Sequence, residues 1–538
     1  MISSSGKGKW DLGIDLLCYL CLPIVSLHFL IENPFAGVEE RFIINTAYDF
    51  AYDTPYKEFH HIKNPHVVPR TIIPSLILAA VAKPFIWLGL DDLTIQIILR
   101  GIVGLQGVFG YYFLAQAIGR EYGNNVKRGF LLLCTVQYKL VYNISRTYPN
   151  IIAQNILLYM WGFIVRGEHL NAIKVVCYVA VILRSEVALF LFPLCLGYLF
   201  IYKGDLFKLL RTGIIHCFIA LFITLAPDSI FWKHWGRLVW PELTAFVFNV
   251  IDGNSSHWGE REFWYYFQRL PNMVGLYPVL MWVLFGLGIF KHRNKMIFPS
   301  IISVFYIIIY SFLPHKEERF ITYTIPVANH IIVLAVGAIL QGDFLFKKNK
   351  TILTILKTSI PLILIFMFLQ SERELQHRAG DHIGGAATLQ LSQYEAKENI
   401  TILIKESCSL FGASLFTLPL RNPKMNVTML EDSVSHHIKD TSWVYKFFGD
   451  NCRNCVDDQH IRDYKHYDVY LTNIWDLPPE KPSNTTTDTW TVVDTISVET
   501  VPTLNYFSLI HSHIPRRDVS LPVFIYVKNR SLHKIAKK

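Results

Sequence analysis

Long apolar blocks alternate with short basic connections over the first 370 residues. They place spans at 12–31, 95–117, 129–142, 151–166, 171–184, 187–203, 213–227, 274–291, 297–313, 320–340 and 352–370, about eleven transmembrane helices. Each approaches the ~20 residues that a helix needs to cross hydrocarbon, and the shorter ones must borrow flanking residues. A further apolar stretch, 72–89, is interrupted by Lys83-Pro84. Beyond about residue 372 the pattern changes to short β-branched alternations at 400–404, 467–471, 490–493 and 523–527. With Gly384-Gly385 ahead of a short helical pattern, this segment reads as a small α/β domain. The expected division is a membrane domain over 1–371, with a first loop at 32–71, and a second domain over 372–538.

Charge assigns the sides. Arg120, Lys127 and Arg128, then Lys203, Lys208 and Arg211, then Lys291, Arg293 and Lys295, then Lys347, Lys348 and Lys350 fall in alternating loops, which the positive-inside rule makes cytosolic. The loops at 143–150, 228–272 and 314–319, and everything after about 371, then face the lumen. Sequons at Asn254, Asn399, Asn426, Asn484 and Asn529 all fall on that side. With a cytosolic N-terminus, 32–71 is luminal too, and 72–89 must be re-entrant or interfacial. No small-residue cleavage site follows the first apolar run, so no cleavable signal peptide is expected.

Composition supports a membrane protein. Of 538 residues, 52% are hydrophobic and 17% charged, below the roughly 25% charged of soluble domains. The net charge of +9 is accounted for by the basic loops; no dense Lys/Arg stripe points to nucleic acid. Six of the nine cysteines fall in apolar stretches. Cys452 and Cys455, near the C-terminus, read as a local disulfide, with a redox centre or half a zinc site as the alternatives.

Chemistry in such a protein belongs where loops meet the bilayer, because ionisable groups within hydrocarbon are costly. Val38-Glu39-Glu40-Arg41-Phe42 follows the first span, and its adjacent carboxylates suit a general base and an orienting neighbour, or simply a solvated loop. His60-His61 precedes Pro69-Arg70-Thr71. Arg70 could grip a phosphate in two-pronged fashion, and the histidines suit sugar or surface contacts better than a metal. Arg146-Thr147-Tyr148-Pro149-Asn150 lies at a span end, and Arg184 and Glu186 read as a mutual charge pair. Pro314-His315-Lys316-Glu317-Glu318-Arg319-Phe320 wedges five consecutive ionisable residues between two spans, which suits a lipid-phosphate site. There is no Gly-rich phosphate loop, no HExxH helix and no G-x-S-x-G elbow.

These blocks occur in order with Leu99-Arg100-Gly101-Ile102-Val103-Gly104, Asp228-Ser229-Ile230-Phe231-Trp232, Trp240-Pro241-Glu242 and Ser256-His257-Trp258-Gly259. Together they resemble the dolichyl-phosphate-mannose-dependent mannosyltransferases of glycosyltransferase family 22, which have the GT-C fold. The match runs from about residue 30 to 340, and more weakly into the tail. Glu39-Glu40, where siblings carry Asp-Glu, and the Val67-Val68-Pro69-Arg70-Thr71 block point within the family to the branch that builds an α-1,6 linkage on the seven-mannose lipid-linked oligosaccharide of N-glycan assembly. Arg41, Tyr48, His60, His66 and Ile383 depart from that branch's pattern.

The resemblance implies an inverting transfer from dolichyl-phosphate mannose to a dolichyl-diphosphate-linked oligosaccharide, in the endoplasmic reticulum membrane with the site on the luminal face. It implies Glu39 as base and Glu40 as its partner. His315, Lys316, Arg319 and Arg146 would meet the donor phosphate, and Arg70, His61, Trp258 and Glu317 would contact acceptor or sugar. It also implies no metal or other cofactor; nucleic acid is not an expected partner, and a monomer is expected. The alternatives are a sibling acting on a glycosylphosphatidylinositol precursor or another precursor mannose, and a lipid or solute transporter. A transporter is disfavoured by the lack of internal repeats.

Overall fold

The computed structural model describes residues 5–63, 68–232, 238–342, 350–379, 383–391, 394–404, 414–418, 420, 424–429, 469–473, 490–496, 523–528 and 535–537. Cys452 and Cys455 lie outside the described residues, as do the sequons at Asn484 and Asn529.

In chain order the helices are α1 (Ser5–Glu32), α2 (Arg41–Ala51), α3 (His60–Lys63), α4 (Ile73–Trp87), α5 (Asp92–Tyr122), α6 (Asn124–Thr135), α7 (Tyr138–Asn143), α8 (Pro149–Val165) and α9 (His169–Ile182). They continue as α10 (Leu191–Leu196), α11 (Leu206–Phe231), α12 (Pro241–Phe246), α13 (Tyr265–Val274), α14 (Pro278–Lys291), α15 (Arg293–Ser311), α16 (Ile325–Leu340), α17 (Lys350–Ala379) and α18 (Ile383–Leu391).

Among the described residues six helical stretches are long and apolar enough to cross a membrane: Asp11–Glu32, Asp92–Tyr122, Leu206–Phe231, Arg293–Ser311, Glu318–Leu340 and Lys350–Gln376. The pair α13 and α14, bent by 87°, makes a seventh if counted as one span. The remaining expected spans are helical but short. The span expected at 129–142 breaks into α6 and α7, where Gln137 turns its amide to Val274 O and Asn329 Oδ1, both at 2.8 Å. The stretch 185–201 is a succession of 3₁₀, α and π turns.

The chain packs as two compact units. The first holds Met1–Leu30, Arg100–Ile230 and Leu238–Glu372; the second holds Ile31–Leu99, Phe231–Arg237 and Arg373–Lys538.

In the first unit two of the basic loops, near 121–128 and 291–295, meet at one end. Asp15 of α1 takes Lys127 at 3.1 Å and Arg128 at 2.7 Å from α6. Lys295 pairs with Glu121, and the rings of Tyr122 and His292 meet edge-on at 5.6 Å. The N-terminal end of α1 and the loops near 121–128 and 291–295 therefore share one end, as the charge pattern requires. Close approach of α5 and α8 depends on small residues: a Cβ on Gly110 would stand 2.7 Å from Asn155 O, and one on Gly107 would stand 2.6 Å from Asn155 Oδ1. Such contacts substitute for hydrophobic driving force between helices in lipid.

In the second unit α4 lies beside α2. Ser75 Oγ donates to Ile43 O at 3.1 Å near their starts, and Lys83 Nζ meets Asp53 Oδ1 at 2.7 Å near their ends. Tyr52 also donates to Asp92 at the head of α5. At 15 residues α4 is shorter than the six long apolar helices, and it is tied along α2 by these bonds. Its exposed Ile77 and Trp87 suit the membrane boundary.

The strands of the second unit are β1 (Tyr394–Ala396), β2 (Ile400–Ile404), β3 (Met425–Met429), β4 (Val469–Asn473), β5 (Trp490–Ile496), β6 (Val523–Lys528) and β7 (Ile535–Lys537). Five form a sheet in the order β3-β2-β4-β6-β5, with β6 alone antiparallel to its neighbours β4 and β5; β1 pairs antiparallel with β7. A 3₁₀ turn at Leu415–Thr417 ties this region to the first loop. Leu415 N donates to Asn45 Oδ1 at 3.0 Å, and Phe416 packs edge-on against Tyr48 at 4.9 Å.

Candidate active site

Within the second unit the carboxylate pair sits on a 3₁₀ turn, Val38–Glu40, that leads directly into α2. Glu40 is fully buried, and its Oε2 accepts the Gly37 N–H at 2.6 Å. That bond closes the turn and commits one oxygen of Glu40 to the backbone. Glu39, its neighbour, remains half-buried. The division of labour is physical: one carboxylate fixes the loop, and the other keeps access to the outside.

The second motif folds onto the same element. His61 is buried in α3, its Nε2 2.9 Å from Phe42 O and its ring stacked on Phe42 at 5.5 Å. Arg70 places its guanidinium over the Phe42 ring, also at 5.5 Å, while its carbonyl accepts from Trp232 Nε1 at 3.1 Å. A small notch forms here, lined by Phe42, Thr46, His61, Arg70, Thr71 and Trp232 together with Val68 and Ile72. Phe42 and Trp232 lie in the quoted motifs, but an aromatic in an apolar chain carries no distinctive spacing that would mark it as a site residue.

The first unit holds the cationic loop. Arg319 Nη2 donates to Glu317 Oε1 at 2.8 Å, and Nε lies 2.7 Å from Oε2 as an ion-pair contact. His315 Nε2 approaches the same Oε1 at 3.0 Å, and its Nδ1 lies 3.1 Å from Gly259 O. Burial raises the Glu317 pKa, but the His315 and Arg319 contacts outweigh it and hold the carboxyl below its ordinary value. Glu318 points elsewhere, to Lys139 at 2.8 Å and Arg269 at 3.9 Å.

Lys316 behaves differently. It is 4% exposed, and its ammonium donates to Arg261 O at 2.8 Å and to Leu313 O. Desolvation pulls its pKa below the ordinary lysine value, against an opposing pull from Glu260. Since Arg261 N also donates to Pro314 O at 3.0 Å, the segments around 259–261 and 314–316 are laced together through their backbones. This lacing ties Lys316 to two backbone carbonyls.

Arg146 is 1% exposed, with its guanidinium 4.1 Å from the Tyr142 ring. Arg319 lies over the Tyr148 ring at 5.5 Å, so 146–150 and 315–319 share a neighbourhood. Trp258 ends a 3₁₀ turn and is exposed. The expected pair of Arg184 and Glu186 is present at 2.7 Å. Its surroundings went unread in the sequence: Asn150 Nδ2 and Tyr323 OH also donate to Glu186 Oε1, at 3.2 and 3.1 Å.

The profile of the Alg9-like mannosyltransferase family matches residues 21–416. A Schizosaccharomyces pombe protein named a probable Dol-P-Man:Man(7)GlcNAc(2)-PP-Dol alpha-1,6-mannosyltransferase is 30% identical over 404 residues, 75% of this chain and 71% of that protein. A Saccharomyces cerevisiae protein with the same activity in its name is 28% identical over 420 residues, 72% of this chain and 74% of its own length. Among solved structures, apo ArnT from Cupriavidus metallidurans aligns with a TM-score of 0.59 at 12% identity, covering 97% of this chain and 98% of ArnT. ArnT bound to undecaprenyl phosphate aligns at 0.57 and 14%. These alignments establish a polytopic helical membrane protein of the GT-C fold. The chain belongs to the Alg9-like mannosyltransferase family.

Proposed function

We propose that this chain transfers mannose from dolichyl-phosphate mannose, in α-1,6 linkage and with inversion, to the seven-mannose dolichyl-diphosphate-linked oligosaccharide of N-glycan assembly. The observation that carries the reading is the shared name of its relatives: proteins of two yeasts, Drosophila melanogaster and Arabidopsis thaliana are all named for this activity, at 28–30% identity. The place of action is the endoplasmic reticulum membrane, with the site on the luminal face. In this reading 1–371 is the catalytic membrane domain and 372–538 a luminal domain.

Glu39 acts as the base. It takes the proton of the acceptor hydroxyl while that oxygen bonds to the anomeric carbon, and the bond from that carbon to the phosphate oxygen breaks. Dolichyl phosphate leaves with the electron pair, and His315 and Arg319 offset its charge, with Arg146 in support. Two of the three ammonium protons of Lys316 are held by carbonyls, so its part is to shape that loop. Glu317 orients His315 and Arg319. His61, Arg70 and Trp258 are assigned to acceptor contacts. No metal is assigned a step, since phosphate departs here on side-chain cations.

The test is the lipid-linked oligosaccharide profile of cells lacking the protein. Accumulation of the seven-mannose species, reversed by the wild type but not by Glu39→Gln, is expected. A normal profile beside stalled glycolipid anchors would overturn the reading in favour of the sibling activity.

A further inference from the structure

The Arg184–Glu186 pair has more capacity than a charge pair uses. Glu186 Oε1 collects three donors, from Arg184 Nε at 2.7 Å, Tyr323 OH at 3.1 Å and Asn150 Nδ2 at 3.2 Å. Asn150 is 1% exposed and Tyr323 fully buried, so the carboxylate is held by a rigid frame. Glu186 Oε2 and the two Nη groups of Arg184 have no hydrogen-bond partner among the described residues. The pair still keeps 12% and 10% of its side-chain surface exposed.

An acceptor and a fork of donors, fixed side by side, match the vicinal hydroxyls of a hexose, each of which both donates and accepts. An aromatic ring is beside them: the Arg184 guanidinium lies 5.9 Å from the Phe320 ring, whose negative face favours the polarised C–H edge of a sugar. Local charge excludes an anion as the natural occupant. Besides Glu186, Glu242 is within electrostatic reach of Arg184 and accepts the Ser185 N–H at 2.6 Å, so two carboxylates surround one guanidinium. The phosphate is better served next door, where Phe320 also meets Arg319 at 5.4 Å and His315 at 5.8 Å.

We infer that Arg184 and Glu186 form a hexose-binding subsite that reads the hydroxyls of the donor sugar, adjoining the phosphate-binding loop across Phe320. The inference rests on the proposed transferase function. Sugar selectivity would then reside in this pair, separately from affinity for the lipid phosphate.

The test uses the purified full chain in lipid nanodiscs, with dolichyl-phosphate mannose, dolichyl-phosphate glucose and sugar-free dolichyl phosphate. Failure of the wild type to use dolichyl-phosphate mannose would overturn the transferase reading itself. Given an active wild type, Glu186→Gln is expected to raise the KM for dolichyl-phosphate mannose by about tenfold, as for a lost charged hydrogen bond. It should narrow the preference for mannose over glucose while leaving inhibition by dolichyl phosphate unchanged. An unchanged KM and sugar preference would overturn the inference, as would equal weakening of dolichyl phosphate. Arg184→Lys, which keeps the charge but loses the fork, is expected to behave likewise and serves where Glu186→Gln does not fold.

Discussion

Glu39 and Glu40 are chemically the same, yet their surroundings divide them. Glu40 Oε2 is spent on the Gly37 N–H, whereas Glu39 keeps partial exposure. Glu39→Gln is expected to lower turnover by about 10²–10⁴ with no change in thermal unfolding. Glu40→Ala should instead cost about 1–3 kcal/mol of stability by stranding a buried N–H, and a thermal unfolding scan distinguishes the two. An unchanged midpoint for Glu40→Ala would reassign it to chemistry. Glu317 supplies a pH prediction. Its folded pKa lies below the ordinary glutamate value, so its contribution is present above that value and is lost as pH falls through the depressed one. Acidification below the normal glutamate range should therefore loosen the 314–319 loop, read as faster proteolysis there, and Glu317→Gln should abolish that pH dependence. The motifs carrying these residues were legible in the sequence, because clustered ionisable groups between apolar spans are rare. Their hydrogen bonds were not, since a bond such as Lys316 to Arg261 O joins residues 55 apart.

At the scale of elements, the long apolar helices could be read directly from composition. The broken ones could not. Nothing in 129–142 marks Gln137 as the place where the helix breaks and its side-chain amide joins an interhelical network. The strands were legible at Ile400–Ile404 and, with small shifts, at Val469–Asn473, Trp490–Ile496 and Val523–Lys528, because alternation of β-branched residues survives in short windows. Their order in the sheet depends on long crossovers and was not. The α5–α8 contact gives an element-scale prediction. Gly110→Val would force a side chain against a backbone oxygen 2.7 Å away, which cannot rotate aside. A loss of about 1–3 kcal/mol or more is expected, seen as poor recovery of folded protein from detergent. Gly13→Val, where a Cβ meets nothing within 4 Å, is the control and should be tolerated.

For the molecule as a whole, charge asymmetry predicts the orientation, and two of the basic loops of the first unit share one end. One direct check remains at Asn399, an exposed residue just ahead of β2 in an Asn-Ile-Thr sequon. Glycosidase treatment of the cellular protein should lower its apparent mass, and Asn399→Gln should remove part of that shift. A cytosolic readout from a tag in the C-terminal region would reverse the assigned orientation of the second unit.

The last long helix has a practical consequence. Few residues of the apolar stretch of α17, 6%, are buried in protein, and near its C-terminal end Ser371 bonds to Val136 O at 2.7 Å and Glu372 meets His28 at 3.1 Å. It exposes Ile355, Leu362, Ile365 and Phe366, a surface suited to acyl chains. Extraction into short-chain surfactant thus removes most of what surrounds this helix while sparing the better-packed helices, so loss of activity on delipidation, and its return on adding phospholipid, should begin here.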